Sequence, residues 1–296
     1  MTDLDTAANR RPPRPLRAIQ QIQIGRVCSD ESQARAVLDR LADVGFEAIE
    51  LNGFMTQPTP LLVRALTKIA GMPVGRGGRL DWQRLVADSG LAVAALHEDL
   101  GTIEREPAAV VERASGFGCR FVVITGMYRF DYTDPAALND LARRLDAAGR
   151  RLADDGISLL YHNHSVEFRR LASGQTAFAA LVEQTDPALV GLELDCYWVA
   201  AAGGDPAGLL ASLGQRVQLV HITDRGNRST GSALTPIDKA DSVELGRGNM
   251  DIAAIVHTAA DLGVAAVILE THKNWIDDSP LRSAEVSAEV LRRLLP

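Results

Sequence analysis

Several features are scarce in this 296-residue sequence, and each scarcity excludes something. Cysteine occurs three times, at Cys28, Cys119 and Cys196, widely spaced and with no C-x-x-C pair. That leaves no disulfide framework and no thiolate metal motif, and it fits reduced thiols in a cytoplasmic protein. No apolar run approaches the ~18 residues of a membrane span. Residues 1–17 contain Arg-Arg-Pro-Pro-Arg-Pro and no apolar segment, so they read as a flexible N-terminal arm and not as a secretory signal. Basic charge is not in surplus either. The 31 Lys and Arg against 38 Asp and Glu give a net charge of −7, a poor balance for gripping a polyanion, so no nucleic-acid partner is expected. Aromatic residues make up only 5% of a chain that is 46% hydrophobic, which describes a large aliphatic core.

What is present is a repeat. A short aliphatic run closes on a polar or charged residue, and an amphipathic stretch of helical period follows. The runs are 18–25, 46–51, 91–97, 120–125, 157–162, 190–195, 217–222 and 265–270. Each is short and aliphatic, as strands buried on both faces should be. The intervening segments 32–44, 107–116, 135–155, 176–185, 206–213, 251–262 and 280–295 read as helices, four of them opening on proline. Gly45, Gly90, Gly118, Gly156 and Gly263 stand between helix and strand. Eight such units predict a single (β/α)8 TIM barrel over residues 18–296, a mixed α/β fold. The length also permits two domains of about 150 residues, but no shift in composition marks a boundary. Two irregular stretches, 52–89 and 225–250, follow the second and seventh strands and read as loops at the site.

In such a barrel the C-terminal strand ends share one mouth, so the residues closing each run are informative. They are Glu50, His97, Thr125, His162 with His164, Glu193 with Asp195, His221 with Asp224, and Glu270 with His272. Residues two apart on a strand face the same side. Carboxylates and imidazoles together suit Mn, Co, Zn or Fe, and carboxylates also take Mg, so one divalent metal ion is the expected cofactor. The same carboxylates without a cation would repel one another. Single residues have plainer readings. Glu50 could cap a turn, His97 could be a satisfied core histidine, and His257 reads as an ordinary helix-surface residue. Tyr161, Tyr197 and Trp198 fit a core, or a stacking surface for sugar rings. The strongest local signal is Tyr161-His162-Asn163-His164-Ser165-Val166-Glu167-Phe168, two alternating histidines followed by a carboxylate.

These motifs resemble the xylose-isomerase-like barrel superfamily, which includes sugar isomerases and epimerases, endonuclease IV, inosose dehydratase and 3-dehydroshikimate dehydratase. The resemblance runs from about residue 18 to the end. It is carried by Gly-Phe-Glu-Ala-Ile-Glu-Leu (45–51), Tyr-His-Asn-His-x-x-Glu-Phe (161–168), Gly-Leu-Glu-Leu-Asp-Cys-Tyr-Trp (191–198), Val-His-Ile-Thr-Asp (220–224), Glu-Leu-Gly-Arg-Gly-Asn-Met-Asp (244–251) and Ile-Leu-Glu (268–270). It implies metal ligands on the last four strands, which here are Asp195, His221 and Glu270, with His162 standing where relatives carry Glu. The fourth ligand is then His162 itself or a Glu167 that swings in. His164, Glu167 and Glu270 are the implied proton-transfer groups. Glu50, His97, Glu193, Trp198, Asp224 and Arg247 are expected to line the substrate.

The expected chemistry begins with a carbonyl polarised by the ion, loss of the neighbouring proton to a base, and a metal-bound enediolate. Reprotonation then gives an isomerase or epimerase of a small sugar or keto-polyol. Expulsion of a β-substituent gives instead a dehydratase or lyase acting on an inosose or 3-keto-glycoside. A nuclease reading is opposed by the acidic charge, and a barrel that only binds sugar is opposed by the joint presence of Asp195, His221 and Glu270. Arg225, Arg247 and the N–H groups of Gly246 and Gly248 offer a place for a substrate phosphate, and a solvated loop accounts for them equally well. The expected partner is a small carbohydrate, with no membrane, and a second copy of the chain is a further candidate.

Overall fold

A computed structural model describes residues 14–57, 79–127, 129–227 and 239–296. The strands in chain order are β1 (Leu16–Gln20), β2 (Ala48–Asn52), β3 (Ala92–Glu98), β4 (Phe121–Thr125), β5 (Ser158–His162), β6 (Val190–Asp195), β7 (Val217–Ile222), β8 (Asp224–Gly226), β9 (Asp241–Val243) and β10 (Ala266–Leu269). β8 and β9 form a small antiparallel pair inserted after β7. The other eight are parallel and close into a barrel in the order β1–β10–β7–β6–β5–β4–β3–β2. This is a single (β/α)8 TIM barrel, as the repeat predicts.

Helices cover the outside over Glu31–Asp43, Trp82–Ser89, Pro107–Gly116, Pro135–Ala153, Ala177–Gln184, Pro206–Leu213, Ile252–Leu262 and Pro280–Leu294. Their starts are set by side-chain caps: Asp30, Thr176, Asp251 and Ser279 each accept a backbone N–H of the first turn. His257 is exposed on its helix. Among the described residues no helix is long and apolar enough to cross a membrane.

Three boundaries differ from the sequence reading. β1 ends at Gln20, and Gln21–Ile24 turn into a helix because the Gln20 side chain accepts the Ile22 N–H at 2.8 Å and caps it. The barrel also takes in residues assigned to the arm: Leu16 and Arg17 pair with β10, and Arg14 grips Glu47 through both carboxylate oxygens. Residues 1–13 of that arm lie outside the described residues. The stretch 52–89 is not all loop. Trp82, Leu85 and Val86 recur at helical spacing and bury one face, with Asp81 as the cap. The prolines and glycines of 58–78 lie outside the described residues, as do residues 228–238.

Alternation along the strands divides the core in two. Ile49, Leu51, Leu96, Val122, Tyr161, Leu192, Leu194, Val220 and Leu269 pack against the helices. Ala18, Ala48, Ala95, Phe121, Val123, Leu160, Leu219, Ala266 and Ile268 fill the barrel's interior. Directly above that plug, the inward positions stop being apolar.

Candidate metal centre

Parallel register brings the polar strand ends together. Glu50 lies level with Gln20, His162 with both Thr125 and Glu193, and His221 with Asp195. Glu50, His162, Glu193, Asp195, His221 and Glu270 are all buried. Burying so many polar groups is costly unless each finds a partner. Here they partner one another, in two tiers.

The upper tier consists of His162, Asp195, His221 and Glu270, one potential ligand atom from each lying within 4.8 Å of the others. His221 Nδ1 is 2.9 Å from Glu270 Oε2, and His162 Nε2 is 3.8 Å from Asp195 Oδ2. Asp195 is held rigidly. Its Oδ1 accepts the Trp198 N–H at 3.1 Å, capping the helical turn Cys196–Ala201, and its main chain is clamped by the Asn163 amide at 3.0 and 3.3 Å. The lower tier consists of Glu50, His97 and Glu193. His221 Nε2 reaches Glu50 Oε2 at 2.6 Å, and His162 Nδ1 reaches Glu193 Oε2 at 2.9 Å. His97 Nε2 sits 3.0 Å from Glu50 Oε2 and 3.1 Å from Glu193 Oε2, an ion-pair contact out of line for a directed hydrogen bond to either, while its Nδ1 meets Thr125 Oγ1 at 3.2 Å. Oε1 of both Glu50 and Glu193 is buried without a partner.

The electrostatics follow from burial working against proximity. Burial opposes the charged form of His97, but Glu50 and Glu193 outweigh it and push the imidazole up to about 10. The same contest ends with His221 well above its ordinary value, the neighbouring carboxylates prevailing over burial. Burial would raise Glu193 and Glu270, yet the facing imidazoles hold both well below the usual carboxylate range. Asp195 goes the other way, burial lifting it to about 6. Among the described residues, the cationic neighbours of these four carboxylates are histidines. Two imidazoles and two carboxylates in the upper tier are a donor set for a transition-metal dication, and the residues present fit such an ion.

His164 lies beside this centre, its ring centroid 5.1 Å from that of His162 and 5.8 Å from that of Trp198. Burial, reinforced by His162, lowers its pKa to about 3, so the imidazole is neutral. Trp198 is half-buried, and its indole Nε1 is buried without a partner. His272 Nε2 is 3.4 Å from Glu270 Oε2. Five of the six histidines thus gather at one mouth.

Several expected roles change. Glu50 and Glu193 are fully buried and His97 nearly so, and the two glutamates are engaged by the rings of His221 and His162. Glu167 does not join the ligand group. Its Oε1 accepts the Tyr161 hydroxyl at 3.0 Å and its Oε2 accepts the His164 N–H at 2.9 Å. Tyr161 points outward from β5 and meets Tyr132 at 2.9 Å, so Glu167 steadies the loop carrying His164 from behind. Asp224 is also committed elsewhere. Its carboxylate accepts the N–H groups of Arg225, Gly246, Gly248 and Met250 at 2.8–3.1 Å, leaving neither oxygen for a substrate. The phosphate nest expected at Gly246 and Gly248 is therefore already filled by Asp224. Arg247 is exposed on the same loop. Asp224→Ala should lower stability by about 2–4 kcal/mol, since several buried N–H groups lose a charged acceptor together. Urea unfolding of the variant checks this.

Three glutamines at the end of β1 and just beyond it, outside the predicted site residues, also build the site. Gln20 bridges β1 to Glu50 and Asn52, at 3.2 and 2.8 Å, and Gln21 and Gln23 accept the N–H groups of Asn52 and Thr271 at 2.9 Å each. Three glutamines inside an aliphatic run were the available signal, because a buried amide must find partners.

A family model describing the xylose isomerase-like TIM barrel matches residues 38–294, and the chain belongs to that family. An inosose dehydratase from Geobacillus kaustophilus (strain HTA426) is 25% identical over 205 residues, covering 64% of this chain and 61% of that protein. The chain thus matches less than two thirds of that relative's length. A sugar phosphate isomerase/epimerase from Parabacteroides distasonis ATCC 8503 superposes with a TM-score of 0.74 at 20% identity, covering 100% of this chain and 99% of the other. A xylose isomerase-like TIM barrel protein from Mycobacterium smegmatis, solved in complex with magnesium, gives a TM-score of 0.63 at 16% identity over 96% of this chain and 97% of that one. At these identities the structural likeness is one of fold.

Proposed function

We propose that this protein is a divalent-cation-dependent isomerase or epimerase of a small sugar or keto-polyol, working by proton removal next to a carbonyl. The observation that supports it most is the convergence of His162, Asp195, His221 and Glu270 at the barrel mouth. In this reading those four residues hold the ion, which when bound polarises the substrate carbonyl and acidifies the adjoining C–H. His164 takes the proton. Its imidazole is neutral, adjoins the ion site, and is steadied through its backbone N–H by Glu167. Glu270 serves both as ligand and as a second proton carrier, with His272 3.4 Å from its Oε2. Trp198 offers a ring face for the sugar and an unengaged indole N–H for a hydroxyl. The three cysteines are free and buried, which suits a reducing, cytoplasmic setting.

The inosose dehydratase relative favours a second reading on the same residues. There the first proton is removed in the same way, and a β-hydroxyl or β-glycosyl oxygen then leaves, giving a dehydratase or lyase.

The test is to purify the protein, measure its metal, and incubate it in D2O with ketoses, inososes and 3-keto-glycosides. Deuterium entering beside the carbonyl, with the substrate otherwise intact, supports the first reading. Loss of water or of an aglycone supports the second. No exchange on any of these substrates, with Mn or Co supplied, counts against both.

A further inference from the structure

We infer that Glu50 and Glu193, one tier below the ion site, are positioning residues that dictate which ring nitrogen each histidine presents to the ion. The inference rests on the ion-binding reading above and assigns to these two glutamates a role that reading leaves open.

A neutral imidazole has one N–H and one lone pair, so fixing the proton on one nitrogen aims the lone pair of the other. His221 has a carboxylate at each ring nitrogen and belongs to two groups of potential ligands, one with His162, Asp195 and Glu270 and one with Glu50, His97 and Glu193. Nε2 points down to Glu50 Oε2 at 2.6 Å and Nδ1 points to Glu270 Oε2 at 2.9 Å. With the proton held on Nε2 by Glu50, His221 binds through Nδ1. His162 is wired in the opposite sense. Its Nδ1 meets Glu193 Oε2 at 2.9 Å, and its Nε2 faces Asp195 Oδ2 at 3.8 Å, so it binds through Nε2. Glu193 Oε2 also stands 3.3 Å from His221 Nε2, so one oxygen serves both rings.

The two glutamates are themselves held. Gln20 donates its amide to Glu50 Oε2 at 3.2 Å, and His97 lies between Glu50 and Glu193, anchored by Thr125. A carboxylate behind a metal-bound imidazole fixes the ring and raises its basicity, and losing it typically lowers metal affinity about 10- to 100-fold. The pairing also accounts for a histidine at the end of β5. A carboxylate needs no tautomer chosen for it, whereas His162 does, and Glu193 on the neighbouring strand lies level with it.

The test uses the full-length protein loaded with Zn(II) and labelled with 15N-histidine. In wild type we expect one zinc per chain, with His221 protonated on Nε2 and His162 protonated on Nδ1. Glu193→Gln and Glu50→Gln keep size and one acceptor oxygen, and each should weaken zinc binding about 10-fold or more in chelator competition. Glu193→Leu and Glu50→Leu should weaken it further and let the affected rings populate both tautomers. A merely structural role would lower the melting temperature without moving the ring protons. Should the leucine variants not fold, the glutamine variants and the wild-type spectrum carry the test. Zinc affinities of both glutamine variants within two-fold of wild type, or ring protons on the opposite nitrogens, would overturn the inference. So would two zinc ions per chain, since Glu50 and Glu193 would then be ligands. Absence of zinc from the wild-type protein would instead sink the ion-binding reading itself.

Discussion

Asp195→Asn is expected to leave the protein folded and to abolish retention of the divalent ion that the proposed function requires. Asparagine caps a helix about as well as aspartate, so the bond from the Trp198 N–H survives and the helical turn Cys196–Ala201 stays in place. The Asn163 clamp on the main chain is also untouched. What is lost is a charged oxygen donor in a four-residue site, together with the attraction that charge exerts on a dication. Asp195→Ala removes donor and cap together, adding roughly 1 kcal/mol of destabilisation. Under the proposed function activity should fall by about 1,000-fold or more in both, since a bound ion would supply several kcal/mol of transition-state stabilisation. Elemental analysis after gel filtration is the deciding measurement. Stoichiometric metal in Asp195→Asn would show that the ligand assignment is wrong.

His164→Gln should have the complementary phenotype. The ring lies beside the ion site but outside the four-residue group, so ion content should match wild type. Loss of a positioned general base costs about 100- to 10,000-fold in turnover, and deuterium exchange beside the carbonyl should fall by the same factor. The two variants therefore separate holding the ion from moving the proton, which activity alone cannot do. Exchange at the wild-type rate in His164→Gln would transfer the proton step to Glu270, with His272 beside it.

Much of this arrangement is legible in the amino-acid sequence. Short aliphatic runs closing on charged residues are strands of a closed parallel barrel, because only strands covered on both faces tolerate such continuous apolarity. Once the barrel is inferred, its closure sends every strand end to one mouth, and the convergence of His162, Asp195, His221 and Glu270 follows. The errors share a cause. Glu50, Glu193 and His97 lie near the ends of their strands, but which groups each meets across the barrel depends on tilt and register, which no local pattern encodes. Glu167 and Asp224 are carboxylates near a mouth, and each is engaged by its own loop, through Tyr161 and the His164 N–H for one and four backbone N–H groups for the other. Hydrogen-bond demand of loop backbone is invisible until the loop is folded.

The scarce cysteines and the absence of basic surplus excluded other classes. The eightfold repeat of aliphatic runs and amphipathic stretches defined a (β/α)8 barrel, because composition and periodicity govern what can be buried, and the family resemblance singled out the candidate ligands. Which carboxylate touches which imidazole nitrogen was decided only in the tertiary structure. Hydrogen bonding acts over about 3 Å, and contacts such as that between Glu50 and His221 join residues 171 positions apart in the chain.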